Sequence, residues 1–174
     1  MSTLTRLTLK EFLALPEIEE RRLELIDGEV VEKPMPAFEH GEIALEIGAA
    51  LKAIGYASVE ARAIIPASAA VDATAPLPDV SFYRSGRPER GQWMTAPPHV
   101  AVEILSPGQS RRDLRAKVDA YIAFGIESIW VVDPFTETVD VHENGERRTL
   151  EVDGTLESEA APGFRMPVRH LFGR

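Results

Sequence analysis

The segment between Val100 and Val132 constrains the fold more than any other part of this chain. It starts with the apolar run HVAVEIL, passes through a Pro-Gly turn into a helical stretch, and ends with the apolar run SIWVVD. Ser110 is placed to cap the helix at its N-terminus and Gly125 to end it. The apolar face of this helix consists of Leu114, Val118, Tyr121 and Ile122. A strand, a helix and a strand joined in this way predict a right-handed parallel crossover.

The rest of the chain predicts one mixed α/β domain. Asp27-Gly28 and Asn144-Gly145 are typical of two-residue hairpin turns. The stretch EHGEIALEIGAALKAIG predicts a helix, whose apolar stripe consists of Ile43, Ile47, Leu51 and Ile54. The 174 residues contain no internal repeat and no low-complexity linker, so we expect a single domain over residues 1–174 around one curved central sheet.

Charge and composition limit the function classes. The net charge of −9 disfavours a protein that binds duplex DNA tightly and without specificity, because such proteins usually carry a basic excess. The sequence has no cysteine, which excludes disulfides, zinc–thiolate sites and thiol nucleophiles, and a cytoplasmic location is expected. No apolar run approaches the roughly 18 residues of a membrane span, so no membrane partner is expected. The sequence also shows no Gly-rich phosphate loop and no Ser-His-Asp pattern.

Three acidic residues lie in apolar surroundings. Glu103 interrupts the run HVAVEIL, Asp79 follows Pro78 at the start of a strand, and Glu24 lies between leucines in the first hairpin. Burying a lone carboxylate costs several kcal/mol unless a cation pairs with it. Two acids on neighbouring strand ends can hold a hard cation such as Mg²⁺ through oxygen ligands.

A lysine can be placed beside Glu103 by geometry. Lys117 follows the helix cap at Ser110 by seven residues, which is roughly 10 Å along the helix axis. Glu103 precedes the strand end at Leu105 by two residues, which is about 7 Å. A helix that folds back over its strand would bring the two side chains level. Carboxylates, a metal-bound water and an ammonium group would then form a site for phosphodiester hydrolysis.

Four stretches carry a resemblance to a known family. They are RLELIDGEV, PLPDVSFY, HVAVEILSPGQSRRDLRAKVDAYIAFGIESIWVVDP and PGFRMPVRHLF, and the resemblance covers nearly the whole chain. They resemble the Uma-type restriction endonuclease family of the PD-(D/E)XK nuclease superfamily. The resemblance implies an α/β, restriction-endonuclease-like fold with a curved mixed central sheet flanked by helices. It implies a metal-dependent endonuclease that hydrolyses phosphodiester bonds in DNA, with Mg²⁺ or Mn²⁺ as cofactor, and it favours a homodimer.

The resemblance also implies a role for each site residue. Asp79 and Glu103 would bind the metal, and the main-chain carbonyl of Ile104 would complete the metal shell. Glu24 would be a further acid, or an acid for a second metal. The lysine of the usual E-x-K pattern is replaced here by a leucine. The resemblance places its role, activation of water or stabilisation of charge, on Lys117.

Each of these residues has an alternative without catalysis. Glu103 and Lys117 can form a buried salt bridge with no metal. Asp79 can be an acid that caps a turn after a proline. Glu24 can face solvent while its leucine neighbours face inward.

A histidine and an arginine cluster are accessory candidates. His40 could lean toward Glu24 and act as a general base or orient a water, or it could be a surface helix residue. Arg111, Arg112 and Arg115 lie beside the proposed lysine and could contact phosphates, or they could form a solvated helix face.

Two other function classes remain open at this point. The chain could be a catalytically weak or inactive nuclease-like module that works by binding, which its acidic charge and missing E-x-K lysine favour. It could also be a metal-dependent phosphoesterase that acts on RNA or on small molecules.

Overall fold

The computed structural model describes residues 6–69, 71–89 and 91–173. The helices are α1 (Leu9–Leu13), α2 (Phe38–Lys52), α3 (Arg111–Phe124) and α4 (Val168–Leu171). The strands are β1 (Leu23–Ile26), β2 (Glu29–Glu32), β3 (Tyr56–Val59), β4 (Val80–Tyr83), β5 (Val100–Ile104), β6 (Ser128–Asp133), β7 (Thr138–Glu143), β8 (Glu146–Leu150), β9 (Thr155–Glu157) and β10 (Arg165–Pro167).

Six strands form a mixed central sheet in the order β3-β4-β5-β6-β7-β8. Strands β5 and β6 pair in parallel, and every other neighbouring pair in this sheet is antiparallel. Helix α3 joins the parallel pair, so the predicted parallel crossover is confirmed. The α/β class with a mixed central sheet flanked by helices is confirmed as well. The closing strands β9 and β10 form a separate pair that the sequence patterns did not predict.

Helix α3 begins and ends where its caps were predicted. The Ser110 side chain accepts a hydrogen bond from the backbone N–H of Asp113, which satisfies one free donor of the first turn. Gly125 closes the helix in the left-handed conformation at φ 96°, a geometry that other residues adopt at a cost. These two signals fix where the chain leaves β5 and where it returns to β6. The predicted apolar face is wrong at Ile122, which is 56% exposed.

The alternation of side chains along β5 divides the core into two layers. Val100, Val102 and Ile104 face the layer that contains α2, whose core residues are Ile43, Ile47 and Leu51. Ala101 faces the other layer, where α3 contributes Val118, Ala120 and Tyr121. Because successive strand residues point to opposite faces, Glu103 is on the α3 side. The two layers bury every residue of β5, so the Glu103 carboxylate is buried as well.

The β1–β2 hairpin forms a third, smaller core with α1. The predicted turn at Asp27-Gly28 is confirmed, with both residues at positive φ. Backbone hydrogen bonds join Leu25 to Ala75, and the buried Arg62 guanidinium donates to Leu23 O at 2.7 Å and Ala75 O at 3.0 Å. The hairpin is therefore fixed to the segment that leads into β4.

In the ranges 6–69, 71–89 and 91–173, no helix combines the length and the apolar character that crossing a membrane requires.

Candidate active site

Asp79 and Glu103 lie at the same end of two neighbouring central strands. Asp79 comes directly before β4, and its backbone N–H donates to Val102 O at 2.9 Å. Its Oδ2 accepts a hydrogen bond from the Ile104 N–H at 2.6 Å. Both acids are 1% exposed. Asp79 is therefore more than a turn acid, because its carboxylate joins β4 to the end of β5.

Helix α3 brings two side chains to Glu103. Lys117 Nζ lies 2.7 Å from Glu103 Oε2, and the Tyr121 hydroxyl donates to Glu103 Oε1 at 2.5 Å. The two residues are four apart on α3, so they lie on the same helix face. The structure thus places Lys117 beside Glu103, as the helix geometry predicts. It adds Tyr121, for which the sequence pattern predicts only a place in the core.

The first hairpin supplies Glu24 to the same point. Its Oε1 lies 3.0 Å from Lys117 Nζ and accepts a hydrogen bond from the Leu77 N–H at 2.6 Å. Glu24 is 4% exposed, so the alternative in which it faces solvent is wrong. Lys117 therefore bridges two carboxylates that are far apart in the sequence.

A second buried lysine, Lys33, contacts Asp79. Its Nζ lies 2.6 Å from Asp79 Oδ1 and donates to Leu77 O at 2.5 Å. Lys33 follows β2 directly and is buried. Sequence reasoning missed it, because a lysine after a hairpin strand ordinarily reaches solvent. The one feature of the sequence that points to Lys33 is its position directly after the hairpin that carries Glu24.

His40 contacts Asp79 rather than Glu24, so the predicted partner is wrong. In the first turn of α2, His40 Nε2 lies 3.0 Å from Asp79 Oδ1 and Nδ1 lies 3.2 Å from Ser106 Oγ. His40 is 6% exposed, which also rules out a surface helix residue. The structure therefore contains a Ser106–His40–Asp79 chain of contacts that the sequence did not reveal, because Ser106 and His40 are 66 residues apart.

The two acids on the central strands have opposite electrostatic behaviour. Burial would raise the pKa of Asp79, but the hydrogen bond from His40 and the charge of Lys33 outweigh it and hold that pKa below its usual value. Burial raises the pKa of Glu103, against the opposing charge of Lys117. Asp79 is therefore the more firmly ionised of the two.

The groups that donate to Glu103 keep their protons. Burial would lower the pKa of Lys117, but the charges of Glu103 and Glu24 raise it above its usual value. Burial, together with the same two carboxylates, raises the pKa of Tyr121 well above its usual value. At neutral pH Lys117 is therefore a cation and Tyr121 a neutral donor.

A pocket of about 110 Å³ opens beside these groups. It lies between the first hairpin, the end of β5, the loop after it and the start of α3. The residues with polar side chains that line it are Glu24, Glu32, Lys33, Glu103, Ser106, Gln109, Ser110, Asp113 and Lys117. Ile104 also lines it. The buried charges thus border a space that a small polar group can enter.

Comparison with known proteins assigns the chain to a family. The family model Uma2, described as "Putative restriction endonuclease", matches residues 9–169. The chain belongs to this family. A crystal structure of a "putative nuclease belonging to DUF820" from Anabaena variabilis ATCC 29413 is similar to it, with 27% sequence identity and a TM-score of 0.84. The match covers 96% of this chain and 98% of that one. A search of curated proteins finds no match.

Asp79 and Glu103 carry oxygen ligands of the type that a hard divalent cation takes. Within the described part of the chain, no group of three His, Asp or Glu side chains is arranged to hold a metal ion as it stands. Mg²⁺, however, is commonly bound through one or two carboxylates, with waters and substrate phosphates completing its shell. Asp79 and Glu103 are two carboxylates at neighbouring strand ends, and of the two only Glu103 lines the pocket. In this structure the oxygens of Asp79 contact Lys33, His40 and the Ile104 N–H, and those of Glu103 contact Lys117 and Tyr121.

The three arginines of the Uma2 protein lie on the surface at the start of α3. Arg111, Arg112 and Arg115 are exposed. Arg112 Nη2 lies 2.9 Å from Glu29 Oε1 on the hairpin. The arginines do not line the pocket, but they lie on the helix whose next turn carries Lys117 into it.

Proposed function

We propose that this protein is a metal-dependent endonuclease that hydrolyses phosphodiester bonds in DNA. The observation that supports this most is the set formed by Asp79, Glu103 and Lys117. Two acids lie at the ends of neighbouring strands, and an ammonium group lies 2.7 Å from one of them, beside a pocket. Membership of the Uma2 family, with its restriction endonuclease description, supports the reaction class.

The proposed metal is Mg²⁺ or Mn²⁺, held by Asp79, Glu103 and the carbonyl of Ile104. When bound, the metal supplies Lewis-acid stabilisation and lowers the pKa of a bound water. The protein's own residues hold the ligands in place. His40 and the Ile104 N–H orient the Asp79 carboxylate, and Tyr121 orients Glu103.

Lys117 acts in this proposal as a fixed positive charge. Its pKa is raised, so it does not act as a base at neutral pH. An ammonium group held in place at the pocket stabilises the negative charge that develops on the phosphate. Glu24 serves to hold that ammonium in position from the hairpin side.

The proposed substrate is DNA in the cytoplasm. In this proposal the DNA contacts the arginines at the start of α3. The acidic chain would bind it through these local positive charges and through the metal. A homodimer is proposed because cutting both strands requires two sites. Size-exclusion chromatography with light scattering tests the homodimer directly.

A plasmid assay tests the function. Supercoiled DNA is incubated with wild type, Glu103→Gln and Asp79→Asn in Mg²⁺, Mn²⁺ or EDTA. Glu39→Gln, a change on the exposed side of α2, is the control. We expect metal-dependent nicking by wild type and the control, and none by the two site variants. Equal cleavage by all four proteins would contradict the site.

The competing proposal is a catalytically weak or inactive binding module. One observation favours it, since each carboxylate of the site already contacts a lysine ammonium group. A protein of this kind would need no cation, so Mg²⁺ would not raise its melting temperature. An RNA or short-diester substrate would show as cleavage of those molecules with intact plasmid.

A further inference from the structure

Lys33 occupies the side of Asp79 that faces the hairpin. Its ammonium group lies 2.6 Å from Asp79 Oδ1 and donates to Leu77 O at 2.5 Å. A second carboxylate oxygen, Glu60 Oε1, lies 4.0 Å from the ammonium nitrogen, which is beyond hydrogen-bond distance. The lysine is 8% exposed and lines the pocket together with Lys117. A side chain of this kind is a resident cation at the carboxylate proposed to bind the metal.

The two buried lysines differ in how their charge is balanced. Lys117 contacts two carboxylates, Glu103 and Glu24, so it remains balanced if one of them turns to another cation. Lys33 has one close carboxylate, Asp79. A divalent ion that binds Asp79 Oδ1 therefore competes directly with Lys33 for the same oxygen, and two cations on one oxygen repel each other.

Lys33 has other oxygen atoms near its ammonium group when a metal takes its place at Asp79. It keeps Leu77 O as an acceptor, and Glu60 Oε1, which also pairs with Arg22, lies 4.0 Å from its ammonium nitrogen. The pocket it lines is also the space in which an anionic phosphate oxygen would come close to both lysines. No backbone rearrangement is needed for this exchange, because the ammonium is at the end of a flexible four-carbon stem.

We propose that Lys33 is an internal competitor of the divalent cation, which holds Asp79 before the metal binds and turns to the substrate phosphate afterwards. This inference rests on the proposed function. It makes Lys33 a positioning residue for Asp79 in the metal-free protein and a phosphate-binding residue in the loaded one. Metal affinity in the absence of DNA is then set partly by this lysine.

The test is Mn²⁺ binding measured by titration calorimetry without DNA, on wild type, Lys33→Met and Lys33→Arg. Lys52→Met, on an exposed lysine of α2, is the matched control. Asp79→Asn identifies the site. We expect Lys33→Met to bind Mn²⁺ at least about tenfold more tightly than wild type, because a charge in contact with the ligand has been removed. Lys33→Arg and Lys52→Met should stay close to wild type.

A second measurement covers the case in which Lys33→Met fails to fold. In wild type, the ¹⁵Nζ signal of Lys33 is followed by NMR during a Mg²⁺ titration. Assignment uses Lys33→Arg, which removes the signal and keeps the charge. We expect the signal to shift as Mg²⁺ saturates, and that of Lys117 to shift less.

Three results would overturn the inference. Equal Mn²⁺ affinity in wild type and Lys33→Met, lost in Asp79→Asn, would show a metal site in which Lys33 does not compete. A Lys33 signal unchanged at saturating Mg²⁺ would show the same. Absence of Mn²⁺ binding in both wild type and a folded Lys33→Met would overturn the metal-dependent function as well. The failure of this inference is distinguishable from the failure of the proposed function. If wild type cleaves plasmid and binds Mn²⁺ tightly, the metal-dependent function stands and only the role of Lys33 is overturned.

Discussion

The two halves of the site are built from different distances along the chain. The half around Lys117 takes Glu103, Lys117 and Tyr121 from one strand–helix unit, in which Glu103 and Tyr121 are 18 residues apart. The half around Asp79 takes Lys33 and His40 from elements 46 and 39 residues away. Local connectivity therefore fixes the contacts of Glu103 with Lys117 and Tyr121. The approach of Glu24, 93 residues from Lys117, and the whole of the Asp79 half depend on how the hairpin and α2 dock onto the sheet.

The two halves also differ in charge balance. Around Lys117, one ammonium contacts two carboxylates. Around Asp79, one carboxylate contacts an ammonium and a histidine. The pKa of Glu103 is raised and that of Asp79 is lowered. The local half therefore carries an excess of negative charge when fully ionised, and the long-range half does not.

The largest effect is expected when the local half loses its cation. Lys117→Met leaves two buried carboxylates without their partner, which costs about 3–5 kcal/mol of unfolding free energy. The raised pKa of Glu103 means that its carboxyl takes up a proton more readily as pH falls, so the cost is smaller at pH 5 than at pH 8. Urea unfolding at the two pH values measures this.

The same variant should lose cleavage. Removing a preorganised charge at the reacting group lowers the rate by about 10²–10³-fold. Lys52→Met is the control for both measurements. A Lys117→Met protein that cleaves at the wild-type rate would remove this lysine from the mechanism.

The next effect concerns the long-range half and also decreases as the pH falls, but over a lower pH range. The pKa of Asp79 is lowered from its usual value of 3.8. Its ionised carboxylate therefore stabilises the fold at pH values above 3.8, and this contribution is lost as the pH falls further. Asp79→Asn should cost about 3–5 kcal/mol at pH 7, because Lys33 remains buried without its carboxylate. The difference from wild type should shrink between pH 5 and pH 3. A difference in unfolding free energy that does not change with pH would contradict the ion pair between Asp79 and Lys33.

A smaller effect is expected for the hydroxyl that orients Glu103. Tyr121→Phe removes a hydrogen bond to a buried carboxyl and should cost about 1.5–3 kcal/mol. Because the deleted donor favours the ionised form of Glu103, the pKa of this acid should rise further. Carboxyl NMR during a pH titration gives the shift, and an unchanged pKa would mean that the hydroxyl does not stabilise the charge. Tyr56→Phe, on β3, is the control.

The smallest effect on stability is expected at the surface. Arg115→Ala changes an exposed residue and should alter the unfolding free energy by no more than about 0.5 kcal/mol. If it contacts a phosphate, DNA binding weakens and the slope of log affinity against log salt falls by about 1. Fluorescence anisotropy at several salt concentrations measures the slope. An unchanged slope would mean that Arg115 lies on a solvated helix face and contacts no phosphate.

The sequence went furthest where one short segment carries both the fold and the chemistry. The α3 crossover was predicted from its caps and apolar face, and the approach of Lys117 to Glu103 followed from rise per residue along a helix and a strand. The roles of Asp79, Glu103, Lys117, Glu24, Ile104 and His40 remain predictions. Ile54 shows the limit of periodicity, since α2 ends at Lys52 and Ile54 is 37% exposed.

The sequence by itself determined the parallel crossover, the first hairpin, and the presence of one acid, Glu103, inside a buried strand. These follow from side-chain periodicity and turn chemistry, which act over a few residues. Only the tertiary structure decided that Lys33 and His40 meet Asp79 and that Glu24 joins Glu103 at Lys117. Lys33 and His40 reach Asp79, and Ser106 reaches His40, because the hairpin and α2 pack against the ends of β4 and β5. A pairing made by docking leaves no spacing in the sequence from which to predict it.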